Sequence, residues 1–194
     1  MARPREFDEE RVLDAVMLTF WRKGFEATSA QDLVDATGLG RGSLYGAFSN
    51  KDGLFEQAIL RYNGRSRENV ERLRQPGPAI ERLRELFISI IDADIDAAEK
   101  PGCLATNSAI ELAGRNSHVA GLVRQNFQIM TRGIQETIER GQSTGEIPSS
   151  LDAEMLALFL FNAIQGLRVL TKTMGKADRS RLLAVAEQTL RALS

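Results

Sequence analysis

Between residues 28 and 51 the chain reads TSAQDLVDATGLGRGSLYGAFSNK, and several of these side chains are suited to phosphates and base edges. A guanidinium such as that of Arg41 can bond a guanine edge through two N–H groups, or a phosphate. Gly42 presents bare backbone beside it, and the Ser43 hydroxyl can approach a base. Tyr45 can give its hydroxyl to a phosphate while its ring packs against its own helix. Thr28 and Ser29 sit where free amides at a helix N-terminus favour a phosphate, and Lys51 stands at the next helix start. Leu44 and Phe48, four apart, define one face of a short helix and leave Arg41, Ser43 and Tyr45 on the other. On spacing alone, the same residues serve equally well as caps and surface.

Other chemistry is thinly supplied. The chain of 194 residues has one cysteine and one histidine, which excludes a disulfide framework and argues against a histidine metal site. No Ser-His-Asp set, paired acids or Cys-rich spacing is seen, so neither an enzyme nor a bound cofactor is expected. The run Gly38-Leu39-Gly40-Arg41-Gly42 has the look of a nucleotide-binding loop but lacks the strand that must precede one. Cys103 follows Pro101-Gly102 near an expected helix start, where free amides favour a thiolate. Arg168 is the cation expected near it. A small buried residue filling a gap is the plainer reading of a free cysteine.

The elements that must position these residues are helical throughout. Thr28 with Gln31, or Ser29 with Asp32, has the spacing of a capping box. Leu33, Val34 and Ala36 give the helix that follows an inward face, and Gly38 supplies a left-handed turn. The next helix, Arg41 to Phe48, completes the layout of a helix-turn-helix, whose second helix enters the DNA major groove. Before it, Asp8 caps a helix striped by Val12, Leu13, Val16, Met17 and Phe20, with Trp21 packing beside the stripe and Gly24 closing it. Arg3-Pro4-Arg5 is a short basic arm.

After it, Asn50 caps a longer helix bearing Leu54, Phe55, Ala58, Ile59 and Tyr62, with Arg61, Arg65, Arg67, Arg72 and Arg74 read as a solvated face. Gln75-Pro76-Gly77-Pro78 ends it. Further helices are expected from Ala79 to about Ala98, over GCLATNSAIELAG, from His118 to Arg140, from Ser150 to about Met174 and from Asp178 to Leu193. The expected fold is all-α with about nine helices: a helix-turn-helix bundle over residues 1–50 and a larger helical domain over 51–194.

Composition is that of an ordinary globular chain, with 43% hydrophobic and 26% charged residues. The longest uncharged apolar run, Met155 to Leu167, is too short to span a bilayer, and a cytoplasmic protein with no membrane association is expected. The net charge is −1, and residues 1–51 hold seven Lys/Arg against eight Asp/Glu. Nucleic-acid binding must therefore depend on where the cations sit.

The segment FWRKGFEATSAQDLVDATGLGRGSLYGAFSNKDGLFEQAI resembles the DNA-binding domain of the TetR/AcrR transcriptional regulators. The matching positions are Gly24-Phe25, Thr28, Gly38, Arg41, Ser43-Leu44-Tyr45, Phe48 and Lys51. Val34 stands where an alanine is common, and Gly40 where a serine often caps the second helix, so that helix start should be looser. GCLATNSAIEL is similar to the start of the sixth helix in one subgroup. The resemblance implies a homodimer joined through its last two helices, a palindromic double-stranded operator and a ligand pocket in the C-terminal domain. It also implies that Cys103, in the Gly-Cys-Leu segment, is a candidate sensor of oxidants or electrophiles.

Phe87, Ile91, Asn107, Phe127, Met130, Phe159, Asn162 and Gln165, together with Cys103, are the candidate pocket residues. Apolar walls with a few amides suit an apolar or aromatic small-molecule inducer. The helix around 155–167 is apolar on more faces than one core needs, and a dimer seam would use the surplus. The expected function is a DNA-binding transcriptional regulator, a repressor released from its operator by a small molecule or by thiol modification. The alternative is an all-α protein–protein interaction dimer that does not bind DNA.

Overall fold

The computed structural model describes residues 7–194. The basic arm at Arg3-Pro4-Arg5 lies outside the described residues. Among those residues the regular structure is helical, with nine α-helices and three short π or 3-10 turns.

Helix α1 (Glu9–Lys23) starts at Asp8, whose carboxylate accepts from Arg11 N at 3.2 Å, and buries Val12, Val16, Met17 and Phe20. Helix α2 (Ala30–Thr37) uses the second of the two possible capping boxes. Ser29 Oγ accepts from Asp32 N, and Asp32 accepts from Ser29 N at 2.8 Å. Of the three apolar residues expected inward on α2, Leu33 is fully buried, Val34 half-buried and Ala36 exposed. The helix is too short to bury more than one narrow stripe. Gly38 closes it at φ 70°, a left-handed conformation in which a side chain would be strained. Helix α3 (Arg41–Phe48) begins at Gly40 with no side-chain cap, as its sequence suggests, and anchors itself through Leu44 and Phe48.

Helix α4 (Lys51–Leu73), capped by Asn50, runs through two cores. Its first half gives Leu54, Phe55, Ala58, Ile59 and Tyr62 to a core shared with α1 to α3. Its second half gives Val70 and Leu73 to a core built with α5 (Ala79–Asp96), α7 (Ser117–Ser143), α8 (Ala153–Leu170) and α9 (Arg179–Leu190). The first core also receives Cys103, Leu104, Leu112, Val119 and Val123. One long helix therefore belongs to both packing units, and material from beyond residue 100 completes the helix-turn-helix core.

Several boundaries differ from the periodicity. GCLATNSAIELAG splits into a five-residue α6 (Leu104–Ser108) and a π-turn over Ala109–Ala113. Helix α7 starts from an Asn116 cap, not at His118, and extends to Ser143. Helix α8 is capped by Asp152 and stops at Leu170, short of Met174. The arginines expected as a solvated face of α4 are partly bridging groups. Arg61 bonds Asp14 at 2.9 and 3.0 Å and pairs with Glu10, fastening α4 to α1, while Arg74 reaches Glu136 on α7.

Helix α8 is long and apolar enough to cross a membrane by length and composition, beyond the shorter uncharged run read from sequence. One side of it is committed to the second core through Ala157, Leu160, Phe161, Ile164 and Leu167. Its other side exposes Met155, Leu158, Phe159, Val169 and Leu170, continued by Val185 on α9. Among the described residues only Leu60 and Ile110 are exposed large apolar side chains elsewhere, so the surplus forms one face.

Candidate functional site

The outward surface of α3 carries Arg41, Gly42 and Ser43, all exposed, with Tyr45 half-buried behind them. The Arg41 guanidinium lies 5.6 Å from the Tyr45 ring centroid, one helical turn on, and has no carboxylate partner among the described residues. Ser29 is exposed at the start of α2. Lys51 opens α4 with its ammonium 4.5 Å from the Phe25 ring. Thr28 is placed differently: it is 1% exposed, and its hydroxyl donates to Gly24 O at 2.6 Å. That hydroxyl fixes the α1–α2 turn and is turned away from the outer surface.

The near-neutral charge of this region resolves into separate populations. Glu10 and Asp14 are taken up by Arg61, and the Arg61 guanidinium holds the Asp14 carboxyl below the usual carboxylate range. Lys23 bonds Asp32 at 2.6 Å and, with Ser29, lowers its pKa to about 2. Glu26 faces Arg115. Of the acids in this region, Glu10, Asp14, Asp32 and Glu26 are paired with cations, Asp35 accepts from the Gln31 amide, and Arg41 has no acidic partner among the described residues. The α3 surface thus carries, among the described residues, an unpaired guanidinium within a region of near-neutral total charge.

A carboxylate unremarked in the sequence sets where this unit stands. Glu111, on the π-turn after α6, accepts from Phe25 N at 2.9 Å and from Glu26 N at 2.8 Å. Gly24 turns the chain there at φ 82°, and a Cβ on it would lie 3.0 Å from Glu111 Oε2. No local pattern marks Glu111, because its partners are 85 and 86 residues away.

The nine candidate pocket residues do not converge. Phe87, Ile91 and Met130 are closed into the second core. Phe127 packs at 5.2 Å against Phe161. Phe159 and Asn162 are on the exposed side of α8. Asn107 donates to Pro101 O at 2.9 Å, and Gln165 accepts from the Thr106 hydroxyl at 2.8 Å. Cys103 is 5% exposed and caps α6, its sulfur accepting from Thr106 N at 3.5 Å and from Tyr62 OH at 3.6 Å.

None of those nine lines the cavity of about 540 Å³ that opens between α1, α4, α5 and the end of α8. Its walls include Leu18 and Trp21 of α1, Tyr62, Arg65 and Arg72 of α4, Ile90 and Asp94 of α5, and Arg168. Arg168, expected beside Cys103, reaches it through Tyr62, donating to the phenol oxygen at 3.3 Å. The same guanidinium bonds Asp94 twice at 3.1 Å and Gly102 O at 2.6 Å. Trp21 Nε1 donates to that same Gly102 carbonyl at 2.9 Å. Burial pushes the Tyr62 hydroxyl up, so it stays a proton donor at neutral pH. The cavity is thus floored by a closed polar network joining α1, α4, α5 and α8.

Comparison with known proteins agrees with this architecture. Residues 12–58 match the family model for bacterial regulatory proteins of the tetR family, and residues 79–187 match that for the tetracyclin repressor-like C-terminal domain. The chain is 31% identical over 191 residues to the HTH-type transcriptional repressor ComR of Escherichia coli K12, covering 97% of this chain and 90% of that one. It is 30% identical over 181 residues to the HTH-type transcriptional regulator YezE of Bacillus subtilis 168, covering 92% and 93%. A cysteine mutant of the TetR family regulator CifR, solved with 26-bp double-strand operator DNA, superposes with a TM-score of 0.87 at 31% identity over the whole of both chains. With α3 exposed on a capped, glycine-turned scaffold and both halves of the chain matched, this protein belongs to the TetR family of DNA-binding transcriptional regulators.

Proposed function

We propose that this regulator is a cytoplasmic repressor: two copies hold their α3 helices on a palindromic operator, and a small molecule releases them. The observation that carries the DNA contacts is the outward face of α3, where Arg41 has no acidic partner among the described residues and Gly42 and Ser43 are exposed. Arg41 would read a base edge or a phosphate, Tyr45 and Lys51 would hold phosphates, and the α2 start at Ser29 would offer amides. Thr28 would contribute by fixing that start. The exposed apolar face of α8 and α9 supports a seam between two copies, which would set the α3 helices about 34 Å apart, one DNA turn.

In this reading residues 1–50 are the DNA-binding unit and 51–194 the effector and dimer unit, with α4 serving both. The effector would occupy the cavity against α1, and its preference for one spacing of the helix-turn-helices would lower operator affinity by about 1–3 kcal/mol. Titration of random-sequence duplex DNA at several salt concentrations, followed by footprinting on a selected operator, tests the DNA reading. Affinity falling steeply with salt and a protected palindrome are expected. Salt-insensitive or absent binding would favour the alternative of a helical interaction dimer.

Thiol modification is a second route to release. What favours it is the pair of donors on the Cys103 sulfur, one of them the Tyr62 hydroxyl backed by Arg168. Burial argues that an oxidant or electrophile would need the cavity wall to open first. Equal release of operator from the Cys103→Ser variant and the parent by hypochlorite or a quinone would exclude this route.

A further inference from the structure

The cavity beside α1 has a chemical bias that follows from which of its charges are already satisfied. Four guanidinium groups and three carboxylates line it. Arg22 pairs with Glu99 at 2.7 Å, and Arg168 is held by Asp94. Arg65, Glu68 and Arg72 are left, all on one face of α4 with Asn69, at the i, i+3, i+4 and i+7 positions of a helix. Arg65 stacks at 5.0 Å on the Trp21 ring, adds at longer range to the field that keeps the Asp14 carboxyl low, and forms no ion pair within 4 Å among the described residues. Arg72 is exposed and has none either. Among the described residues the rim therefore presents two guanidinium groups outside any close ion pair against one lining carboxylate, Glu68. Guanidinium is the group that grips a carboxylate through two parallel N–H bonds. Deeper in, Leu18, Ile90 and the Trp21 ring make an apolar wall.

We propose that this cavity binds an amphipathic organic anion: a compact apolar or aromatic body bearing one carboxylate. Arg65 and Arg72 take the carboxylate, and the body lies against Leu18, Trp21 and Ile90. A volume of about 540 Å³ is within the range of small-molecule sites. Because α1 forms one wall and α4, α5 and α8 the others, the occupant touches the helix-turn-helix unit directly. It bears on the Trp21–Gly102–Arg168 junction rather than acting from inside the second core. The inference deepens the ligand-release reading and rests on it only for the consequence at DNA.

Trp21 is the only tryptophan, so its emission reports on this cavity alone. The test titrates the full chain, without DNA, with phenylbutyrate, phenylbutanol and phenylbutylamine. Phenylbutyrate is expected to change the emission saturably and to bind about tenfold or more tighter than either comparator, as expected for a charge-assisted pair. Arg65→Gln and Arg72→Gln, both on an exposed helix face, should each remove most of that preference. Ala93→Phe, which fills the cavity, should abolish the response at unchanged helicity. An amine or alcohol that binds as well as the acid, a preference that survives both arginine variants, or no saturable response to any probe would overturn the proposal. None of these results bears on operator binding, and loss of operator binding would leave the titration unaffected.

Discussion

At the scale of single residues, the chemistry lies less in which side chains are present than in which remain unpaired. Arg41 stands out because it has no acidic partner among the described residues, while Asp14, Asp32 and Glu26 are engaged with Arg61, Lys23 and Ser29, and Arg115. Asp32 shows how firmly one of them is held. Its carboxyl, bonded by Lys23 and then by the Ser29 backbone and hydroxyl, titrates at about 2 rather than 3.8. A depressed folded-state pKa contributes stability that is fully present above the unfolded value and is lost as pH falls through the folded one. That contribution should hold down to about pH 4 and vanish toward about pH 2, and Asp32→Asn should lack that part of the acid slope. Carbon-detected NMR titration of the Asp32 carboxyl checks it; a midpoint near 3.8 would contradict the cap geometry.

Among the helices, two distant carboxylates do the work that local caps do elsewhere. Glu146, from the loop before α8, accepts from Ala79 N and Ile80 N at 2.6 and 2.9 Å and so starts α5, which Pro78 leaves without a side-chain cap. Glu111 does the same for the α1–α2 turn, and through Gly24 and Thr28 it fixes the start of α2. A neutral amide cannot replace a carboxylate that accepts two N–H bonds, so Glu111→Gln should cost about 1–3 kcal/mol at that junction. The Phe25 and Glu26 amides should then exchange with solvent about tenfold faster or more, while helix content is unchanged. Unaltered protection of both amides would show that Glu111 does not position the turn.

These struts were the part hidden from the sequence. The capping box, the Gly38 turn and the Leu44–Phe48 anchor are local, and the residue pattern displays them. Glu111 and Glu146 pair with backbone groups tens of residues away, which no spacing rule reports. The candidate ligand residues show a related limit. Periodicity marks Phe87, Met130 and Phe159 as apolar helix faces alike, yet only packing distinguishes a closed core from a cavity wall or an open face. The residues that do line the cavity, Arg65 and Arg72 among them, have the look of a solvated surface until α1 is laid beside α4.

For the whole molecule, the unpartnered apolar face on α8 and α9 is the feature one chain cannot explain alone. Met155, Leu158, Phe159, Val169, Leu170 and Val185 would each be buried by a second copy related by two-fold symmetry. Placing a charge at its centre should split the pair: Leu158→Glu is expected to sediment as a monomer with parental helicity. If that variant stays dimeric, the seam lies elsewhere. A monomer holds a single α3 and should lose the cooperative grip on a palindrome while retaining weak, salt-sensitive DNA binding.

The most direct test of the central reading is operator affinity of Arg41→Ala beside the parent chain, at one fixed salt concentration, on an operator selected by the parent. Arg41 is exposed and outside both cores, so the variant should fold and associate as the parent does. Loss of a base or phosphate contact of about 1–3 kcal/mol in each of two protomers should weaken the specific complex by a factor of about thirty or more. Undiminished protection of the palindrome by the variant would contradict the assignment of α3 as the reading helix.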